Sequence, residues 1–250
     1  MQEMSAVRDN VVQIPLFRSV ILSREDDEGS PAQERSALRM PGVLRSAQDD
    51  ITIQALSRPA RTFTGDFYVT HRHRDRLWLA HGDVAGKGLP AAVVMAMIQE
   101  ELEHRITSCA ATQCDPAATM QRLHEFLRPI LPNNRFATGV IGHLRDDGTL
   151  TIANGGHCPP LILRRNGTIE EIPSTGPLLG ILSNAKWHST KTHLARGETL
   201  VLYSDGVIES CADLGVEGLK RVLATARTPE EVVAAIGTTT DDVTLVMVRR

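Results

Sequence analysis

Apolar and polar residues alternate in short runs from Ile51 to the end of the chain, and turn residues separate the runs. Two turns predict hairpins: RDDGT around Gly148, and Asn166-Gly167, which suits a type I′ turn. The runs have the length and composition of strands, and the pattern therefore predicts antiparallel sheet. The predicted strands are ITIQAL, DFYV, RLWLAHGD, FATGVIGHL, TLTIAN, PLILRR, TIEEI, ETLVLYSDG and VTLVMV.

Three segments between these strands predict helices. The first begins at Leu89 or Pro90 and continues to about Ile106. Asp115 is the expected N-cap of the second, with Pro116 at its first position, and the capping box TPEE precedes VVAAI in the third. Strands and helices do not alternate strictly, so an α+β fold is favoured over a doubly wound parallel sheet.

Residues 1–49 have a different character. Residues 19–50 mix charged residues, Ser, Gly and Pro without a sustained period of 2 or 3.6. We expect an N-terminal arm over residues 1–49, either poorly ordered or used to dock a partner, followed by one domain over residues 50–250.

Composition excludes several classes of protein. The 250 residues carry a formal charge of -3 without a long basic block, so neither nucleic acid nor an anionic membrane is an expected partner. The longest apolar run, AAVVMAMI, is far shorter than the roughly 20 residues of a membrane span, and no signal peptide is recognisable. Without a CxxC pair, we expect reduced thiols and a cytoplasmic protein; the cysteines are Cys109, Cys114, Cys158 and Cys211.

The stretch GDVAGKG, residues 82–88, is rich in glycine but matches neither of two nucleotide-binding patterns. From Gly82 to Gly86 the spacing is one residue short of a P-loop, and Gly88 rather than Ser or Thr follows Lys87; the spacing of a dinucleotide fingerprint is also absent. The glycines predict a tight turn from a strand into a helix. Lys87 is either a solvated loop residue or a point charge for a substrate phosphate.

Several aspartates stand at the ends of predicted strands. Asp83 and Asp205 end strands, whereas Asp66 and the pair Asp241 and Asp242 begin them. If these carboxylates converge, two of them about 4 Å apart repel by roughly 4 kcal/mol at an effective dielectric near 20, so they need cations. Oxygen ligands favour magnesium or manganese, and two such ions suit hydrolysis of a phosphoester. The alternative is that each aspartate merely terminates its strand.

Five segments also resemble a known family in their order along the chain: TGDFYV, GDVAGKGLPAAVVMA, FATGVIGHLRDDGTLTIANGGHCPPLIL, GETLVLYSDGVIES and DDVTLVMV. They are similar to the SpoIIE/RsbU-like branch of the metal-dependent type-2C (PPM) protein phosphatases, over roughly residues 50–250. The resemblance implies a four-layer α-β-β-α sandwich of two mainly antiparallel sheets flanked by helices. It also implies a centre of two magnesium or manganese ions that hydrolyses phosphoserine or phosphothreonine in a protein.

The resemblance further implies a set of metal ligands. Asp83 resembles the aspartate that bridges both ions, and Val84 the residue whose backbone carbonyl binds one of them. The remaining catalytic and metal-binding aspartates are those of the GDFY, DG and DD motifs: Asp66, Asp205 and Asp241, with Asp242 as the second candidate for the last position.

Two features depart from the family pattern. Thr64 stands where a glycine usually precedes GDFY, and the helix that usually leads into the domain is not recognisable. His157 in NGGHCPP matches a family motif, but hydrogen bonding to the backbone is as good an interpretation as proton transfer, so it is left out of the catalytic set. We expect surface or strand-neighbour positions for His71, His73 and His81, and helix core for AAVVMAMI.

The resemblance implies a phosphorylated STAS-domain protein of the anti-anti-sigma type as substrate, in a partner-switching pathway that releases a sigma factor. A separate sensor or regulator would supply the signal, and a dimer remains open. Two alternatives stay in view: a catalytically silent pseudophosphatase that binds a STAS protein or a kinase, and a metal-dependent hydrolase of small phosphoesters.

Overall fold

The computed structural model describes residues 44–45, 51–60, 62–109, 114–132, 135–211 and 215–250. The predicted arm therefore lies outside the described residues, apart from Leu44–Arg45, whose backbone pairs with the strand Thr52–Arg58. Whether residues 1–49 act as a docking arm stays a prediction.

The described strands form two antiparallel sheets, as the alternation of apolar residues predicted. The first sheet contains, in spatial order, β1 (Leu44–Arg45), β2 (Thr52–Arg58), β11 (Val243–Arg249), β10 (Thr199–Tyr203), β7 (Leu161–Leu163) and β8 (Ile169–Glu171). The second contains β3 (Phe67–His73), β4 (Arg76–Val84), β5 (Ala137–Arg145), β6 (Thr149–Gly155) and β9 (Thr190–His193).

Helices cover the outer face of each sheet. α1 (Leu89–Thr107) and α2 (Pro116–Leu127) pack on the second sheet; α3 (Asp205–Glu209), α4 (Gly215–Leu223) and α5 (Pro229–Ile236) cover the first. A third core lies between the two sheets, where Leu79 and Val140 share an apolar cluster with Leu202 and Val246. The described residues from Leu44 to Arg250 therefore form the four-layer α-β-β-α sandwich that the resemblance implied.

The predicted helix signals are realised at the residues that carry them. Asp115 Oδ2 accepts a hydrogen bond from the amide of Ala118 at 3.1 Å, and Thr228 Oγ1 accepts one from Glu231 at 3.2 Å. These caps satisfy amides that the first turn of a helix leaves unpaired. The helices α3 and α4 and the strand β9 were not predicted. α3 and β9 have five and four residues, which is too short for a clear period, and α4 contains two glycines, Gly215 and Gly218, which weaken a helical pattern.

Helix α1 corrects the expectation that AAVVMAMI is helix core. Its inner face is buried, with Met95 and Ile98 in the core beneath it. Its outer face is also apolar, since Val93 is 49% exposed and Met97 36% exposed. None of the helices in the described part of the chain has the length and apolar character of a membrane span.

Two local expectations are wrong. The β7–β8 turn has positive φ at Gly167 but not at Asn166, so the type I′ geometry is not formed; Asn166 Oδ1 instead accepts from the Thr168 amide at 3.0 Å. Cys109 and Cys114 form a disulfide, with a Cα–Cα distance of 6.0 Å. The contact between α1 and α2 brings the end of one helix close to the start of the next, which sequence spacing alone did not reveal.

Candidate functional site

Four chain segments meet in a cleft at one end of the sandwich. Asp66 directly precedes β3, Asp83 is the penultimate residue of β4, and Asp205 is the first residue of α3. Asp241 and Asp242 directly precede β11. The structure brings all five predicted aspartates to this cleft, whose lining comprises Ala60, Phe63, Gly65, Asp66, Asp83, Gly86, Lys87, Asp205, Thr240, Asp241 and Asp242.

The β3–β4 hairpin brings Asp66 beside Asp83. Its register pairs Phe67 with Gly82, and the amide of Val84 donates to the carbonyl of Gly65 at 3.3 Å. A Cβ at Gly65 would lie 2.7 Å from Asp83 Oδ1 and 2.8 Å from the carbonyl oxygen of Val84. Only glycine fits here, and the two oxygens that it leaves open are the ones predicted to bind metal.

Thr64, the departure from the family pattern, takes part in the turn before β3. Its Oγ1 accepts a hydrogen bond from the amide of Asp66 at 3.0 Å. A side chain at this position therefore supports the turn that carries the carboxylate.

The DG and DD motifs are packed against each other. A Cβ at Gly206 would collide with the carbonyl oxygen of Asp242. The backbone of the DD motif therefore occupies the space where a side chain in the DG motif would lie. Ser204 Oγ accepts from the amide of Thr244 at 2.9 Å and donates to the carbonyl of Asp242 at 3.2 Å. These contacts hold Asp205 beside the start of β11.

The carboxylates in the cleft differ in burial and in pKa. Asp66 is 5% exposed, and burial, followed by the charge of Asp83, raises its pKa well above the usual range, although the hydroxyls of Thr244 and Ser204 act in the opposite direction. Burial and then the charge of Asp205 raise the pKa of Asp83 to about 6. Asp205 is exposed at the rim. The cleft therefore holds a buried Asp66 beside a half-buried Asp83, and the ionised form of each is disfavoured.

The donor set of the cleft suits a hard divalent cation. It consists of carboxylate oxygens, and the buried Asp66 Oδ2 has no hydrogen-bond partner among the described residues. Val84, the predicted carbonyl ligand, is not among the residues that line the cleft, although its oxygen lies beside Gly65, which is one of them. As they lie, no group of three His, Cys, Asp or Glu residues in the described ranges is close enough to hold an ion.

The two candidates for the last ligand have different partners. Asp241 Oδ2 lies 3.5 Å from Lys87 Nζ, and the side chains are 38% and 63% exposed respectively. Asp242 Oδ1 accepts a hydrogen bond from the amide of Ala60 at 2.7 Å. Asp241 Oδ1 in turn accepts from the amide of Asp242 at 3.0 Å, so each candidate has one oxygen bonded to a backbone amide. Lys87 lies at the cleft in a weak surface ion pair.

Two histidines behind the cleft were not predicted as part of it. His81 is fully buried and His157 is 8% exposed. Of the two positions expected for His81, the surface position is wrong and the position between neighbouring strands is confirmed. Their rings are hydrogen-bonded, with 2.8 Å between His81 Nδ1 and His157 Nε2. Burial lowers the pKa of His81 well below its usual range and that of His157 to about 4, so both rings are neutral at pH 7. The position of His81 directly after the apolar run Leu77–Ala80 of β4 was the available signal.

His157 also forms hydrogen bonds through its own backbone, whereas its ring contacts the side chains of His81 and Thr138. Its amide donates to Asn154 Oδ1 at 2.8 Å, and its carbonyl accepts from Asn154 Nδ2 at 3.1 Å. The side chain of Asn154 therefore fixes the loop that carries the ring. His71 and His73 lie in β3 and are not among the residues lining the cleft.

Sequence comparisons identify relatives. The chain matches the family of Stage II sporulation protein E (SpoIIE) over residues 73–250. It is 28% identical over 176 residues to phosphoserine phosphatase RsbU of Bacillus subtilis (strain 168), covering 70% of this chain and 51% of RsbU. It is 29% identical over 187 residues to Protein IcfG of Synechocystis sp., covering 63% of this chain and 29% of IcfG. The match therefore spans about half of RsbU and less of IcfG.

Solved structures share the fold. The PP2C phosphatase domain of SpoIIE from Bacillus subtilis superposes with a TM-score of 0.70 at 18% identity, covering 80% of this chain and 63% of that one. The PP2C domain of SiaA from Pseudomonas aeruginosa gives a TM-score of 0.67 at 21% identity, covering 79% and 85%. Because the family match extends over most of the chain and the fold is that of PP2C phosphatase domains, the chain belongs to the SpoIIE family, as its five ordered motifs predicted.

Proposed function

We propose that the protein is a metal-dependent phosphatase that hydrolyses phosphoserine or phosphothreonine in a protein. The observation that carries the proposal is the convergence of Asp66, Asp83, Asp205 and Asp241 in one cleft of a chain that belongs to the SpoIIE family. Among the described residues, Lys87 is the one cation that lines the cleft, so its four carboxylates repel each other strongly unless further cations compensate them. A phosphoryl group, itself an anion, approaches such a cleft only after that compensation.

We assign the roles of the residues as follows. Asp83, the carbonyl of Val84 and Asp66 form the buried side of the metal centre, and Asp205 completes it from the rim. Asp241 is the proposed last ligand, and Asp242 stays the second candidate. Each has one oxygen that accepts from a backbone amide: Asp241 Oδ1 from Asp242 at 3.0 Å, and Asp242 Oδ1 from Ala60 at 2.7 Å. Magnesium or manganese, in two sites, supplies charge compensation and activates a water for in-line attack on phosphorus. Lys87 offers a mobile cation near the entering phosphoryl group.

The proposed substrate is a phosphorylated STAS-domain protein of the anti-anti-sigma type, dephosphorylated in the cytoplasm within a partner-switching pathway. Support comes from the relative named phosphoserine phosphatase RsbU and from a structure that contains the RsbU and RsbW domains of one Mycobacterium tuberculosis protein. A separate regulator would supply the activating signal.

The proposal is tested by measuring phosphate release from phosphorylated STAS-domain proteins and from p-nitrophenyl phosphate. We expect release with manganese, no release in excess chelator, and recovery when manganese is restored. Activity that persists in chelator would contradict the metal mechanism. Faster turnover of nucleotides or small phosphoesters than of any phosphoprotein would favour the small-substrate hydrolase.

A second candidate is a pseudophosphatase that binds a phosphoprotein without hydrolysing it. One observation favours it: the carboxylates of the described residues do not, as they lie, form a group that could hold an ion. Calorimetric titration with manganese separates the two candidates. Phosphoprotein binding without manganese binding or phosphate release would support the pseudophosphatase.

A further inference from the structure

A chain of four hydrogen-bonding groups crosses between the two sheets behind the cleft, and we call it the histidine bridge. It consists of the Thr138 hydroxyl, the His157 ring, the His81 ring and the Thr244 carbonyl. Thr138 Oγ1 lies 2.8 Å from His157 Nδ1, His157 Nε2 lies 2.8 Å from His81 Nδ1, and His81 Nε2 lies 3.3 Å from the Thr244 oxygen. Both rings are buried.

The chemistry of these groups allows only one direction for the hydrogen bonds. A carbonyl oxygen only accepts, so His81 Nε2 carries the proton and donates to Thr244. A neutral imidazole has one donor and one acceptor, so His81 Nδ1 accepts from His157 Nε2. His157 Nδ1 is then an acceptor, and the Thr138 hydroxyl must donate to it. Both rings are Nε2–H tautomers.

The histidine bridge connects the segments that carry the cleft aspartates. Thr138 is paired directly with Asp83 in the β4–β5 register, and His81 precedes Asp83 by two residues. The Thr244 carbonyl follows Asp242 by two residues and also accepts from the amide of Ser204 at 3.0 Å. A shift at either ring therefore moves the ends of β4 and β11 relative to each other.

The direction of the bridge also decides what Thr138 offers to Asp83. Side chains of residues directly opposite in an antiparallel pair lie on one face, with Cβ atoms about 4.5–5.5 Å apart. A free threonine hydroxyl at that distance would donate to a carboxylate. Because its proton is used by His157, Thr138 leaves the Asp83 oxygens free.

We propose that the histidine bridge positions the metal centre, by holding the Asp83 segment against the Asp242 segment and by keeping the Thr138 proton away from Asp83. Its members are positioning residues, and the proposal rests on the metal-dependent function proposed above. Groups that orient metal ligands in this way typically change metal affinity by about 10–100-fold when they are removed.

Thr138 provides a matched pair of variants. Thr138→Val keeps the shape of the side chain and removes the donor, whereas Thr138→Ser keeps the donor. Thr190→Val in β9 is the control, because the Thr190 hydroxyl makes no hydrogen bond among the described residues. Manganese affinity is measured by calorimetry, and melting temperature is measured in chelator.

We expect Thr138→Val to bind manganese about tenfold more weakly than the wild type, Thr138→Ser to restore most of the affinity, and Thr190→Val to leave it unchanged. A lower melting temperature of Thr138→Val with unchanged manganese affinity would overturn the proposal, because the bridge would then be merely structural. A wild type that binds no manganese would overturn it as well.

Nitrogen-15 spectra of the histidine rings test the direction of the bridge independently. We expect both His81 and His157 as Nε2–H tautomers at pH 7, and an Nδ1–H tautomer at either ring would contradict it. Failure of the bridge is distinguishable from failure of the proposed function. If the wild type binds manganese, Thr138→Val weakens that binding and no phosphate is released, the proposal for the bridge stands and the phosphatase function is contradicted. If phosphate is released but manganese affinity does not depend on Thr138, only the phosphatase function stands.

Discussion

The two ends of strand β10 carry acidic residues in opposite surroundings. Before the strand, Glu198 Oε2 accepts from Arg164 at 2.8 Å and from the amide of Ala195 at 2.9 Å. After it, Asp205 faces a cleft in which Asp83 and Asp66 add further negative charge. One end is therefore a compensated ion cluster, and the other accumulates charge of one sign.

The pKa values express this difference. Burial by itself raises the pKa of Glu198, yet the Ala195 amide and Arg164 bring it below its usual value. Burial and the charge of Asp205 raise the pKa of Asp83 to about 6. The ionised form is thus favoured by the fold at Glu198 and disfavoured at Asp83. Acids that cost stability are expected where a protein uses them for function.

The largest contrast is expected from Asp83→Asn. Phosphate release should fall to background, because the proposed bridging ligand is lost, whereas the melting temperature in chelator should stay the same or rise, because a repelling charge has been removed. Phosphate assays and calorimetric melting measure the two effects. Marked unfolding of this variant in chelator would show that Asp83 is a structural residue.

The opposite result is expected from Glu198→Gln at the other end of the strand. Loss of a hydrogen-bonded charge that is mostly buried should lower the free energy of unfolding by about 1–3 kcal/mol, and kcat should be unchanged. Denaturant unfolding gives the free energy. A stability equal to that of the wild type would mean that Arg164 finds adequate compensation in Glu170 alone.

The free energy of unfolding of the metal-free protein should depend on pH, because the fold disfavours the ionised form of Asp83. The folded pKa, about 6, lies above the usual 3.8, so the unfolded state ionises first and stability should fall as pH rises between these values and then level off. The expected loss is at most on the order of 3 kcal/mol, at about 1.4 kcal/mol for each unit of pKa. Unfolding in chelator at several pH values measures it, and Asp83→Asn should show a shallower decline than the wild type.

The smallest effect is expected from Lys87→Met. Its ion pair with Asp241 is exposed, and such pairs contribute about 0–1 kcal/mol, so the stability in chelator should change by less than about 1 kcal/mol. Thermal unfolding at low and high salt checks this. A larger loss that salt abolishes would indicate that Lys87 compensates the whole aspartate cluster.

Much of this molecule could be predicted residue by residue. Asp115 and Thr228 cap the helices that their sequence context indicated, and the strand ends carry the aspartates that meet in the cleft. Local hydrogen bonds and the alternation of apolar residues cause these features, so a short segment contains the signal. Wrong expectations fell on groups whose environment comes from distant segments, such as His81 and the Cys109–Cys114 pair.

The sequence by itself determined the α+β class, the positions of the long helices and strands, and the family, because each depends on patterns within a segment or on the order of motifs. Only the tertiary structure decided that Asp66 is buried while Asp205 is exposed, and that His81 meets His157. Burial and partner depend on which strands and loops pack against a residue. Those contacts join positions far apart in the chain, where no local pattern records them.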